Sequence, residues 1–191
     1  MGSGVLAGRE EGGALMKLYN KTKCPTEFLE PLLVAAGRAV GAKTTNTVVK
    51  VTSGRTGRVK GEAINWNTVS KWHLVKGWTW AHHSKNNSIS CDGYFSIVLP
   101  MALHPCYDPV KVAESFFKVA MHEWAHIKDY QSGGRWSLPW SRAGAGGRRP
   151  RHDSRPEELR AINAVDDAVD GGAVTRHQGK ILLLAFCIGR H

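Results

Sequence analysis

Apolar and polar positions alternate along this chain with periods that change from segment to segment. Over Thr26 to Val40 the apolar residues Phe28, Leu29, Leu32, Leu33 and Ala36 recur every three or four positions, which predicts a helix. Thr26 is a capping type, and Glu27 and Glu30 suit the positive end of a helix. Pro31 is expected in its first turn, and Gly41 is a natural stop. Thr45 to Thr52 is β-branched and predicts a strand, and Ala63 to Val75 predicts a second strand region. Gly77 to Asn87 is polar and aromatic, as a loop or hairpin would be. Gly93 to Leu99 is a clear strand ended by Pro100.

Asp108-Pro109 then opens a long helix, with a capping residue followed by the proline that suits a first helical position. It runs to about Gln131 and stops at Ser132-Gly133-Gly134. Its middle is apolar almost all round (Phe116, Phe117, Val119, Ala120, Met121, Trp124, Ala125, Ile127), so it should be buried on most faces. Residues 132–151 are rich in Gly, Arg, Trp and Pro and predict a long loop, mobile from Arg135 to Arg151. A further helix begins near Asp153 or Ser154, with Pro156 early, and ends at Gly171-Gly172. Gly179 to Ile188 is apolar and fits either kind of element. No internal repeat is present.

Composition narrows the class. A chain of 191 residues with 42% apolar residues can bury one real core. The expected organisation is a flexible segment over residues 1–15 (a leader, a mis-assigned start or a tag) and one domain over residues 16–191. The formal charge is +10, and Arg135 to Arg160 carries seven Arg against three acids. A solvated basic loop is the plain reading; a contact with nucleic acid or an acidic substrate is the sharper one. Cys24, Cys91, Cys106 and Cys187 lie far apart in sequence with no C-x-x-C, which argues against a cysteine zinc finger and a dense disulfide scaffold. Cys91 and Cys106 can pair only in an oxidising compartment. No secretory signal is visible, and the longest apolar run, Ile181 to Ile188, is too short to span a bilayer. The expected location is the cytoplasm, with no membrane partner.

Within the long helix stands His122-Glu123-Trp124-Ala125-His126. Positions i and i+4 share a helix face, so the two imidazoles can bind one Zn2+. Glu123 lies to one side, placed to take a proton from an activated water and deliver it to a leaving amine. The same five-residue pattern arises by chance, and a histidine pair can be plain hydrogen-bonded core. Burying two His and a Glu without partners costs several kcal/mol, however, and one metal accounts for all three. Catalytic zinc takes a third protein ligand. The candidates are Glu158, Glu157, His152 and Asp153. Glu158 is favoured because it shares a stripe with Ile162, Val165 and Val169, expected to face the core, while Ala161 and Ala164 allow close helix approach. Asp129, three residues after His126, is either an imidazole-orienting acid or a solvated helix end. Tyr130, His152 and Arg155 are candidate oxyanion donors. His82-His83 is expected at the surface.

His122-Glu-x-x-His126 followed by a helix with Glu158-x-x-Ala161 resembles the zincin superfamily, gluzincin-type. It is similar in particular to small zincin-like metallopeptidases of phage and mobile-element genomes. The resemblance covers roughly residues 26–170 and implies an α+β fold: a small mixed sheet with an edge strand, here Gly93 to Leu99, over the buried HExxH helix, and a second ligand-bearing helix. It implies a zinc metallopeptidase acting on a peptide or protein substrate that pairs with the edge strand. Two features depart from the pattern: the long Arg- and Gly-rich loop, and Lys128 where such helices often stay apolar. Two alternatives stand beside it. One is a DNA-associated protease, similar to the DNA–protein crosslink proteases, with the basic loop on nucleic acid. The other is a zinc-binding protein of zincin fold without turnover.

Overall fold

The computed structural model describes residues 16–54, 58–64, 68–70, 88–100, 108–132 and 156–190. The chain enters on a short strand, β1 (Lys17–Lys21), which the sequence pattern does not single out. Its residues are mostly polar, and it exists because it pairs in parallel with β2 (Val48–Gly54). Between them runs α1 (Thr26–Ala39). Pro25, not Thr26, occupies the N-cap and no side chain caps the helix. Pro31 therefore falls in the second turn, where it removes a backbone bond; burial of Leu29, Leu32 and Leu33 holds the helix together regardless. At its other end Gly41 takes a left-handed φ of 71°. There Ala42 N–H donates to Gly37 O (2.9 Å) and Gly41 N–H to Arg38 O (3.1 Å), closing a Schellman motif.

β3 (Lys60–Ile64) and β6 (Tyr94–Pro100) complete a four-stranded mixed sheet in the order β1-β2-β6-β3, with β2 and β6 parallel and β3 antiparallel to β6. The strand expected at the edge, Gly93 to Leu99, is thus an interior one. Its residues Phe95, Ile97 and Leu99 are buried on one face and Tyr94 on the other, as a strand flanked on both sides requires. The edge next to β6 belongs to β3. The predicted strand region Ala63 to Val75 corresponds to the end of β3 and to β4 (Thr68–Ser70). β4 pairs with β5 (Ser88–Ser90) in a separate antiparallel ribbon. Residues 71–87, including the expected hairpin and His82-His83, lie outside the described residues.

The described residues contain four further helices: α2 (Pro109–Gln131), α3 (Pro156–Asp170), α4 (Ala173–Arg176) and α5 (Gln178–Gly189). The apolar segment of undetermined type is therefore helical. The fold is α+β. α2 is its central element: it packs on α1, α3, α5, β3 and β6. Phe116, Phe117, Met121 and Trp124 on α2 join Val49 and Val51 of β2, Phe95 and Ile97 of β6, and Ile181, Leu184 and Ile188 of α5 in one core. No helix among the described residues is long and apolar enough to cross a membrane.

Candidate metal centre

The rotation of α2 about its own axis decides where its histidines point, and two contacts set it. Asp108 accepts a hydrogen bond from Val110 N–H (2.9 Å), which caps the helix as its sequence predicts. Trp124, fully buried, donates its indole N–H to Leu33 O (2.8 Å) and meets Phe95 edge-on at 5.0 Å. Gly37 of α1 makes room for that ring: a Cβ there would lie 3.1 Å from two Trp124 carbons. With Trp124 held against α1 and the sheet, His122 and His126 project toward α3.

There they meet Glu158. His122 Nε2 and His126 Nε2 are 3.1 Å apart. Glu158 Oε2 is 3.2 Å from His122 Nε2, and Glu158 Oε1 is 3.6 Å from His126 Nε2. A tetrahedral cation with bonds of about 2.0–2.2 Å holds its ligand atoms ~3.3–3.5 Å apart, so the three edges fit one ion. These residues are the metal-capable group found among the described residues. His126 and Glu158 are buried, while the His122 side chain is 23% exposed. A buried carboxylate is paired with a positive charge or coordinates a metal, and the approach of Glu158 to His122 and His126 suits either. Two nitrogens, one anionic oxygen and an open side make a donor set suited to a divalent transition metal.

Glu158 reaches this position along a stripe that matches the expected one only in part: Val165 and Val169 pack against the core, and Ile162 does not. Ile162 is 37% exposed and Val165 and Val169 are only half-buried; the inward positions of α3 are Glu158, Ala161 and Ala168. The small alanines let α3 approach α2 closely. Ile162 and Val165 instead line an open cleft of about 240 Å³ between the two helices, with Val119, Lys118 and Asp166, and this cleft reaches His122. Solvent thus reaches the His122 side chain. The side chain of Glu157, together with His152 and Asp153, lies outside the described residues.

Glu123 takes no part in the cluster of three. It lies under the edge strand, where Ala63 N–H hydrogen-bonds its carboxylate. Burial, then the charges of Glu158 and Glu62, push its pKa from the usual 4.5 up to about 8, against the lowering effect of the Ala63 bond. Gly61 lies directly over this carboxylate: a Cβ there would come within 2.7 Å of Glu123 Cγ and Cδ. Gly61→Ala should therefore displace the carboxylate by a fraction of an ångström to an ångström while sparing both histidines. An ångström of misplacement costs up to about 10²-fold in rate. At unchanged metal content, any reaction in which Glu123 moves a proton should slow roughly 10–100-fold, and an unaltered rate would refute this close fit.

The remaining candidates resolve differently. Asp129 does not orient an imidazole: its Oδ2 accepts from Arg160 Nε and pairs with Arg160 Nη2, each at 3.0 Å. The pair ties α2 to α3 one turn beyond the ligands. Lys128 caps α1 by donating to Val40 O (2.9 Å), so its charge stays at the solvent edge of α2. Tyr130 is buried with its hydroxyl directed at Ala63 O of β3, a long 3.5 Å contact, which makes it a strand-holding group. His152, Arg155 and the basic loop expected to be mobile, 135–151, lie outside the described residues. Sequence reasoning missed Gly61, Ala63 and Arg160; the short, charged segment Lys60-Gly61-Glu62-Ala63-Ile64 carries almost no pattern of its own. Comparison with protein-family models, with curated proteins and with solved structures finds no match for this chain.

Proposed function

We propose that this protein is a zinc-dependent metallopeptidase of zincin-like architecture. The observation that carries the reading is the separation of two kinds of acid at one site. Glu158 converges with His122 and His126 on a common point, while Glu123, adjacent in sequence to a ligand, is held apart beneath an edge strand. A closed structural zinc site takes four protein ligands, whereas a catalytic one keeps three and leaves a position open. Three candidate ligands among the described residues, beside an independent buried base, fit the catalytic arrangement better than a binding protein without turnover. The DNA-associated alternative rests on the charge of residues 132–151 alone.

His122, His126 and Glu158 would hold the ion, which when bound supplies Lewis acidity to acidify water and polarise a carbonyl. Glu123 takes the proton from the attacking water and delivers it to the departing amine. Among the described residues β3 (Lys60–Ile64) pairs with a strand on one side only; Ala63 there meets Glu123 and Tyr130, and the rest of that edge is where an extended peptide would add, in place of the strand Gly93 to Leu99. Gly61, without a side chain, lets that peptide and the Glu123 carboxylate share the same narrow space.

The test is elemental analysis of the purified chain joined to a casein or peptide-library digest. Hydrolysis should be lost on chelation and return with zinc. A protein that cleaves equally well after complete metal removal would sink the proposal. So would one that carries iron at full occupancy, since two His and one carboxylate also serve non-haem iron.

A further inference from the structure

Two cysteines that stand 163 positions apart in sequence meet in the core near the opposite end of α1 from the turn motif at Gly41. Cys24 belongs to the turn between β1 and α1, and Cys187 to α5. Both are buried, at 1% and 6% exposure. Cys187 S–H donates to Cys24 Sγ with the sulfurs 2.7 Å apart. Carbon atoms in contact rest ~3.5–4.0 Å apart, and sulfur is larger. A disulfide bond measures about 2.05 Å. The two sulfurs therefore sit closer than atoms of their size do without a bond, and a small movement joins them.

Both sides of the contact are held in place. Asn20 Nδ2 donates to Cys24 O (2.6 Å), and Cys24 N–H donates to Thr22 Oγ1 (3.1 Å), which fixes the turn. Cys187 is carried by a helix whose Ile181, Leu184 and Ile188 are fully buried. No histidine or acid joins the pair in a metal-capable group among the described residues. We propose that Cys24 and Cys187 form a disulfide that staples the last helix to the turn ahead of the first. α1 and α5 pack on each other and both pack on α2, so the bond braces the frame that holds the HExxH helix.

The bond forms by exchange with a low-molecular-weight disulfide. One cysteine thiolate attacks a sulfur of that disulfide and releases one small thiolate. The second cysteine thiolate then attacks the mixed disulfide at the protein sulfur, forming the Cys24–Cys187 bond and releasing the second small thiolate. Two protein thiols are oxidised, one small disulfide is reduced to two thiols, and the two protons leave with them. Burial and the neighbouring Cys187 push the Cys24 thiol up, so it stays protonated in the folded chain and exchange belongs to the folding chain. Persistent disulfides belong to oxidising compartments, so a permanently closed bond and a cytoplasmic location exclude each other.

The full chain, refolded from denaturant in a buffer with excess oxidised glutathione, should be alkylated under denaturing conditions and mapped without reduction. A peptide pair joined through Cys24 and Cys187 is expected, with Cys91 and Cys106 alkylated. A phosphine reductant, which avoids competition of thiols for metal, should then lower the thermal midpoint by on the order of 10 °C. That shift should vanish in a Cys24→Ser/Cys187→Ser variant. Complete alkylation of Cys24 and Cys187 in the refolded wild type, or a crosslink from either to Cys91 or Cys106, would overturn the proposal. If the double variant fails to fold, the peptide map of the wild type decides alone.

Discussion

Glu123→Gln is expected to keep its metal and its fold and to lose peptide hydrolysis by about 10²–10⁴-fold, the usual weight of a general base. The side chain is buried and lies beneath β3, where the Ala63 N–H contacts it. Gln has the same length and still offers a carbonyl oxygen to that N–H, so the local packing survives. Burial, Glu158 and Glu62 all disfavour the charged form of Glu123, so a neutral amide in its place does not weaken the fold. It cannot accept a proton from water. Because Glu123 is no member of the group formed by His122, His126 and Glu158, metal content should stay at one equivalent. The measurement is a digest of casein by wild type and variant at equal zinc occupancy. Equal rates would remove Glu123 from the chemistry and leave the zinc-binding protein without turnover as the better account.

Loss of a ligand should act on both metal content and stability. His126→Ala removes one of three atoms that converge within 4.8 Å, and the open cleft beside His122 gives water access to what remains. Stoichiometric zinc should be lost. His122→Ala and Glu158→Ala should behave alike, because no fourth described residue can replace a missing ligand. Metal that binds only the folded chain stabilises it by mass action, ~4 kcal/mol when free zinc exceeds the dissociation constant a thousandfold. For a chain of this size that corresponds to roughly 10 °C in the thermal midpoint. Chelation of the wild type should therefore lower the midpoint by about this amount, and chelation of His126→Ala by none. If His126→Ala kept a full equivalent of zinc, the ion would sit elsewhere. If chelation left the wild-type midpoint unchanged, the ion would contribute nothing to the fold.

His122, Glu123, His126 and the helix that carries them were legible in the sequence, because an i, i+4 pair on an apolar helix needs only local geometry to share a face. The cap at Asp108, the stop at Gly41 and the existence of strand β2 follow equally from local residue chemistry, while its parallel pairing does not. Glu158 was legible as one candidate among several; its inward aim was inferred from a stripe with Ile162, which the structure turns toward the cleft. A 15-residue helix with apolar residues on more than one side has no single predictable face, and only packing against α2 chooses it. The placement of β6 inside the sheet and of β3 at its edge was likewise decided by pairing partners far apart in sequence. β6 does carry a hint, since Tyr94 and Phe95 are adjacent apolar residues on opposite faces. Gly61 over Glu123, Arg160 on Asp129 and Cys187 against Cys24 leave no mark in the linear pattern. Each is a contact between single residues whose separation the chain alone does not constrain, so each waits on the assembled core to bring its two halves together.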